Sequence, residues 1–337
     1  MKILVAISGG VDSAVAAAIL RKKKHALVAV HLDLFGRTNE IESARAVAAK
    51  LEIPFYILNF RREFERKVIA DFLRNYSENR TPNPCAICNR EIKFGKLFRK
   101  MRELGCEKLA TGHFVRVENG QLFRGVDGEK DQSYFLSRVR ADRLARIIFP
   151  LGDLTKSEVK KRAGKFGFAK VAARKSSAGI CFLRGIELEK FLTKNIPAKN
   201  FRPGKIRTAD GRVVGAHRGL PFFTVGQRRG VELGGMPRPH FVVDFDREKN
   251  EIVVGENSEL FAEKLSAKKL NWLGDPPKNG AKISAQIRYR APAEPGRIFL
   301  SRTRARFEFA SPVRAITPGQ TVAFFRGAKC LGGGEIC

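Results

Sequence analysis

The sequence predicts an α/β fold, a doubly wound parallel sheet, followed by a small β-rich central domain and a C-terminal β-barrel. Three observations carry this. Short apolar runs alternate with helical spacings through residues 1–111. A glycine turn, Ser8-Gly9-Gly10-Val11-Asp12-Ser13, joins the first strand to the first helix. Beyond Leu192 the texture changes to short apolar segments punctuated by Pro and Gly. Alternating strands and helices build parallel sheets with ligands at the carboxyl ends of the strands, whereas closely spaced short strands suit a small barrel. The expected boundaries are 1–190, 191–257 and 258–337.

In order, strands are expected at 3–7, 27–32 and 55–59, with helices at 14–23 and 40–51 between them. Phe64, Val68 and Phe72 carry helical spacing through 62–74. Pro82 and Pro84 forbid a helix up to Asn83, so the next helix is expected to begin near Cys88 and run to about 104. A strand at 108–111 ends in the turn Gly112-His113, again at a carboxyl edge. The charged loop 128–132 leads into an apolar run, and 156–166 reads as an amphipathic structural helix. In the central domain short strands are expected at 213–214, 222–225, 241–245 and 252–254, with 211–230 a basic hairpin. In the last, strands are expected at 281–290, 297–300, 306–309 and 321–325.

The glycine turn is the organising stretch. Without a Cβ, Gly9 and Gly10 let backbone N–H groups approach an anion, and the helix behind them aims its positive end at the same point. Ser8 and Ser13 add hydroxyls. Asp12 suits either a helix cap or a Mg²⁺ ligand. No lysine follows the glycines, so this is a phosphate cradle of a different kind from GxxxxGK[ST]. The second strand would place the backbone around Leu32 beside this loop.

Six cysteines in a chain with no secretory signal are expected to be reduced thiols, catalytic groups or metal ligands. Cys88, at an expected helix N-terminus beside Arg90 and Lys93, should have a lowered thiol pKa, as a nucleophile or sulfur carrier needs. The competing reading of Cys85 and Cys88 is half a zinc site, but no second ligand pair exists. Cys181, in the small-residue loop 176–182, reads by itself as an inert thiol.

A net charge of +30 spreads about evenly along the chain, since residues 258–337 carry +8 of it. Either a polyanion such as RNA is the partner, or the surface is basic throughout. No stretch approaches the ~20 apolar residues of a membrane span, and a cytoplasmic protein with no membrane partner is expected.

SGGVDS resembles the pyrophosphate loop of the PP-loop ATPases, Rossmann-like enzymes that split ATP into AMP and pyrophosphate while adenylating a carbonyl-type oxygen. Taken with TPNPCAICNREIKFG, LATGH, KDQSYFL, GICF, GAHRG, TVGQRRG, IRYR, AITPGQ and CLGGG, in that order along the whole chain, the sequence resembles the bacterial tRNA-specific 2-thiouridylases. Those enzymes place sulfur on the wobble uridine of certain tRNAs. The resemblance implies an ATP site at Ala6, Ile7, Ser8, Gly9, Gly10, Val11, Asp12, Ser13, Leu32 and Gly112, with Mg²⁺. It implies a nucleophilic Cys88 and a persulfide-carrying Cys181, joined in a transient disulfide. Target-base contacts fall on Asn83, Pro84 and Cys85, and further tRNA contacts on His113, Lys130, Asp131, Gln132, Arg288, Tyr289 and Gln320. The implied partners are tRNA and a sulfur donor, either a cysteine desulfurase or a sulfur-relay protein.

Two departures stand out. The family often has an acid where Ser176-Ser177 stand here. Some relatives have aspartate in place of Cys85, which opens a second route in which Cys85, Cys88 and Cys181 hold a [4Fe-4S] cluster with one open iron. Another PP-loop ATP-dependent ligase or amidotransferase, with no use for the cysteines, and a non-catalytic metal-binding RNA module are the competing functions.

Overall fold

The computed structural model describes residues 1–173, 179–231, 233 and 238–337. The expected alternation holds in the first part. Strands β1 (Lys2–Ala6), β2 (Ala26–Asp33), β3 (Phe55–Asn59) and β4 (Lys108–Ala110) come first. A hairpin that leaves the sheet follows, β5 (Val115–Glu118) and β6 (Gln121–Arg124), and then β7 (Ile147–Ile148). The sheet order is β3-β2-β1-β4-β7, parallel throughout. The chain steps one way from β1 to β2 and β3, and the other way to β4. The crevice between the ends of β1 and β4 is therefore the topological switch point, where open α/β sheets bind ligands.

Helix α1 (Val11–Lys22) is buried along nearly its whole length because alanines let it lie close between sheet and helix. Helix α2 is Thr38–Lys50. Helix α3 runs Arg61–Phe64, Glu65–Ile69 and Ala70–Ser77, and α4 runs Pro84–Cys88, Asn89–Lys96 and Leu97–Glu103; in both the middle piece is π-helical. Helix α4 thus begins at Pro84, where a proline lacking N–H is tolerated and Asn83 Oδ1 accepts the Ala86 N–H at 3.1 Å. The expected start near Cys88 was too late. Helix α5 is Lys156–Lys165.

The central domain is a four-stranded sheet of β8 (Gly204–Thr208), β9 (Val213–His217), β10 (Phe241–Asp246) and β11 (Glu251–Gly255), ordered β10-β11-β8-β9. The hairpin turns at Gly211 and is complete by His217, so it does not extend through 230. Nor is 222–225 a strand. Gly219 at φ 145° and Pro221 set up a single 3-10 turn, Leu220–Phe222, before the chain straightens.

Six antiparallel strands then close into a barrel: β12 (Phe261–Trp272), β13 (Ala281–Gln286), β14 (Glu294–Leu300), β15 (Arg304–Arg314), β16 (Thr321–Arg326) and β17 (Lys329–Ile336). Their order is β12-β15-β14-β13-β16-β17, with β12 and β17 pairing to seal it. The β5–β6 hairpin, turned by Asn119 and Gly120 with positive φ, docks on β17 through Phe123 and Lys329. One hydrophobic core therefore runs from Leu4, Phe94 and Tyr134 to Ala323, Phe325 and Cys330 of the barrel. Among the described residues no helix is long and apolar enough to cross a membrane.

Candidate active site

The loop after β1 occupies the switch point. Gly9 has φ 79°, and a Cβ there would lie 2.7 Å from Ser43 Cβ on α2, so glycine is required twice over. Gly10 caps α1 without any side-chain bond, which leaves the first N–H groups of the helix directed outward. Ser13 Oγ accepts the Ser8 N–H at 3.1 Å and donates to the Gly10 carbonyl at 3.0 Å, bracing the turn. From the other side, a Cβ on Gly112 would stand 2.8 Å from the Asp12 carbonyl carbon and Ser13 nitrogen. The turn after β4 leans directly on the loop.

Asp12 is not the helix cap. Its carboxylate forms an ion pair with Lys156, the first residue of α5. The lysine that the loop lacks in sequence is thus supplied from far along the chain. Sequence reasoning took α5 as structural, although its start was readable: Thr155 and Glu158 form a reciprocal capping box. Leaving Lys156 half in the site is a consequence of that fixed start.

A cavity of about 390 Å³, within the usual range for small-molecule sites, opens beside the loop. Ala6, Ile7, Ser8, Asp12, Ser13, Leu32 and Gly112 line it, as do Pro84, Cys85 and Cys88 of α4, Cys181, His113 and Gln132. Val11 is buried in α1, so it serves the helix rather than the cavity. The two distant cysteines therefore share one space with the loop. Cys181 opens a 3-10 turn, Cys181–Leu183, whose Phe182 packs edge-on against Phe64 and Phe72 of α3. Arg37 Nη2 donates to the Cys181 carbonyl at 3.2 Å. Ser176-Ser177, where this chain departs from the family pattern, lie outside the described residues.

The expected lowering of the Cys88 thiol pKa is overturned. Because α4 starts at Pro84, Cys88 lies a full turn inside the helix and is buried among Phe64, Val68, Ile87 and Ile92. Burial pushes its thiol up to about 12, against the opposing pull of Lys93. Burial likewise raises Cys85 and Cys181, again with Lys93 pulling the other way. All three thiols are therefore protonated in this state of the protein. Among the described residues no three His, Cys, Asp or Glu side chains converge as a metal-holding group.

His113 is buried, with Nδ1 2.7 Å from Thr111 Oγ1 and Nε2 3.5 Å from Lys93 Nζ. Burial, then the lysine charge, hold its pKa well below the ordinary histidine value, so it is neutral. Since the ammonium can only donate, Nε2 is the accepting nitrogen and Nδ1–H donates to Thr111. Gln132 Oε1 accepts the Phe114 N–H at 3.0 Å. The Asp131 carboxylate is spent inside the protein, on Arg124 Nη1 at 2.8 Å, Ser133 Oγ at 2.7 Å and the N–H groups of Gly125 and Ser133, both at 3.1 Å. It orders the loop that presents Gln132, while Lys130 stays half-exposed.

The remaining expected residues cluster where the barrel meets the start of α4. Gln320 Nε2 donates to the Pro82 carbonyl at 3.2 Å, next to Asn83. Tyr289 packs on Phe135 with ring centres 4.5 Å apart. Arg288 Nη2 donates to the Ala315 carbonyl at 3.1 Å and Thr317 Oγ1 at 3.2 Å. None of the three lines the cavity.

Three domain families match in succession. The tRNA methyl transferase HUP domain covers residues 1–185, the tRNA methyl transferase PRC-barrel domain 189–256, and the aminomethyltransferase beta-barrel domain 262–336. The tRNA-specific 2-thiouridylase MnmA of Chlamydia felis is 44% identical, over 99% of this chain and 96% of its own. That of Carboxydothermus hydrogenoformans is 42% identical over 99% and 97%, and that of Moorella thermoacetica 43% over 99% and 98%. With three domain families matched in succession and these relatives 42–44% identical over 99% of its length, the chain belongs to the family of the tRNA-specific 2-thiouridylases.

Proposed function

We propose that this protein is an ATP-dependent tRNA sulfurtransferase that makes 2-thiouridine at the wobble position, with sulfur delivered from a cysteine persulfide. The carrying observation is that Cys88, Cys181 and the anion-binding loop all face one cavity. A ligase that only adenylates needs no such thiols, and methyl transfer has no use for a pyrophosphate loop.

The uracil C2 carbonyl is a poor electrophile, so its oxygen first attacks the α-phosphorus of ATP and pyrophosphate leaves. The N–H groups at the start of α1 and Lys156 stabilise the charge on the departing phosphates. Asp12 would be the residue to hold a Mg²⁺ ion, which would supply further neutralisation of phosphate charge. A separate sulfur donor, a cysteine desulfurase or a sulfur-relay protein, loads Cys181 with a persulfide. Its terminal sulfur attacks C2, and AMP leaves with the former carbonyl oxygen. Cys88 then attacks Cys181 Sγ; the sulfur–sulfur bond breaks with its electron pair going to the sulfur on C2, which becomes the thiocarbonyl. The two cysteines have supplied two electrons and are left as a disulfide, which an external thiol reductant opens.

In this reading Asn83, Pro84 and Cys85 at the start of α4 meet the target base, and His113, Lys130, Gln132, Arg288, Tyr289 and Gln320 make further tRNA contacts. Cys88→Ser and Cys181→Ser are each expected to abolish 2-thiouridine formation on purified tRNA while ATP binding persists. Full thiolation by both variants would exclude the sulfur relay. Tight tRNA binding without tRNA-dependent AMP release would reduce the protein to an RNA-binding module.

A further inference from the structure

The middle of α4 has π-helical hydrogen bonding, which runs from residue i to i+5. That phase puts Lys93 under Cys88 and on the cavity side with Cys85 and Asn89, where an α-helix would have begun to carry it round. π-Helical insertions of this kind recur at functional sites. Lys93 is half-buried, and among the described residues no carboxylate lies within ion-pair distance of it. Its hydrogen-bond partner is Nε2 of neutral His113, which takes a proton donor without cancelling the charge. A half-buried ammonium without a counter-ion is costly unless an anion forms beside it. Two carboxylates line the same cavity, but Asp12 is paired with Lys156 and Glu40 with Arg37 and Arg184, so the thiols are the groups there that could form an anion for Lys93.

We propose that Lys93 is a positioning residue whose ammonium, steered by His113, holds the sulfur centres of Cys85, Cys88 and Cys181 in reach of their anionic forms. The inference rests on the sulfur-relay reading. It adds that the positive charge facing the thiols is built into α4. Lys93 touches no reacting bond. It makes the persulfide and the resolving thiolate affordable in a cavity whose burial otherwise forbids them. His113 then acts chiefly on the lysine.

The test uses the full chain without tRNA or ATP. Alkylation by iodoacetamide at fixed pH is followed cysteine by cysteine by mass spectrometry in the wild type, Lys93→Met and Lys93→Arg. A neighbouring charge within 4–6 Å is worth about 1–3 pKa units. Alkylation of Cys85 and Cys181 is therefore expected to slow at least about tenfold in Lys93→Met and to recover largely in Lys93→Arg, while exposed Cys337 reacts at an unchanged rate. Equal rates in Lys93→Met and wild type would overturn the proposal. So would reaction of buried Cys106 and Cys330 in both variants, which would assign Lys93 to the fold instead. Because thiol reactivity is read without tRNA, the result stands apart from whether Cys88→Ser and Cys181→Ser lose thiolation.

Discussion

Cys330 gives the plainest view of what burial does to a thiol in this protein. It is 1% exposed within the shared core, and burial pushes its pKa up to about 12 from 9.0. The folded state keeps the proton that the unfolded state begins to release near pH 9. Stability is thus fully present below that pH and is lost progressively between about pH 9 and 12. Guanidinium unfolding at pH 8 and pH 10.5 is expected to show a smaller drop in stability for Cys330→Ala than for the wild type. Equal drops would mean that this thiol does not titrate with folding. The same burial acts on Cys88, where Lys93 stands opposite. Arg124 plays the corresponding part at Cys330; what separates the two is that Cys88 lines the cavity while Cys330 lies in the shared core.

At the scale of elements, the site depends on close approach between backbone segments. The turn at Gly112 leaves no room for a Cβ against Asp12 and Ser13, so Gly112→Ala must push the loop away from β4. A forced shift of this kind costs about 1–3 kcal/mol. The expected outcome is a folded protein whose ATP affinity, measured by isothermal calorimetry, is weakened about tenfold or more; wild-type affinity would show that the contact yields without moving the loop. Much at this scale was legible in sequence. The β1-loop-α1 unit could be read because glycine chemistry and apolar alternation agree there. The start of α4 was misplaced because proline bars a helix before itself but welcomes one at its own position. The π-helical phase of α4 leaves no periodic signature, since its apolar side chains still fall on one face. In the barrel, β12 carries three lysines and a glutamate, and β17 carries three consecutive glycines. Both fail a propensity reading, and their place is set by closure against each other.

Across the whole molecule, the barrel is bound to the catalytic sheet and not merely appended. The β5–β6 hairpin extends its wall, and Tyr134 Oη donates to the Thr321 carbonyl at 2.7 Å. Gln320 on the next turn reaches Pro82, at the lip of the cysteine cavity. The barrel thus helps fix the segment that leads into α4. The chain carries a net charge of +30, suited to a polyanionic substrate whose binding weakens with salt. None of this geometry would matter to sulfur transfer unless residues 88 and 181, brought together from α4 and a separate turn, react with one another. The most direct measurement is a single turnover on persulfide-loaded protein with ATP and tRNA and no reductant, with disulfides mapped by mass spectrometry. The expected result is one Cys88–Cys181 disulfide for each 2-thiouridine formed. Thiouridine appearing while both cysteines stay reduced would contradict it.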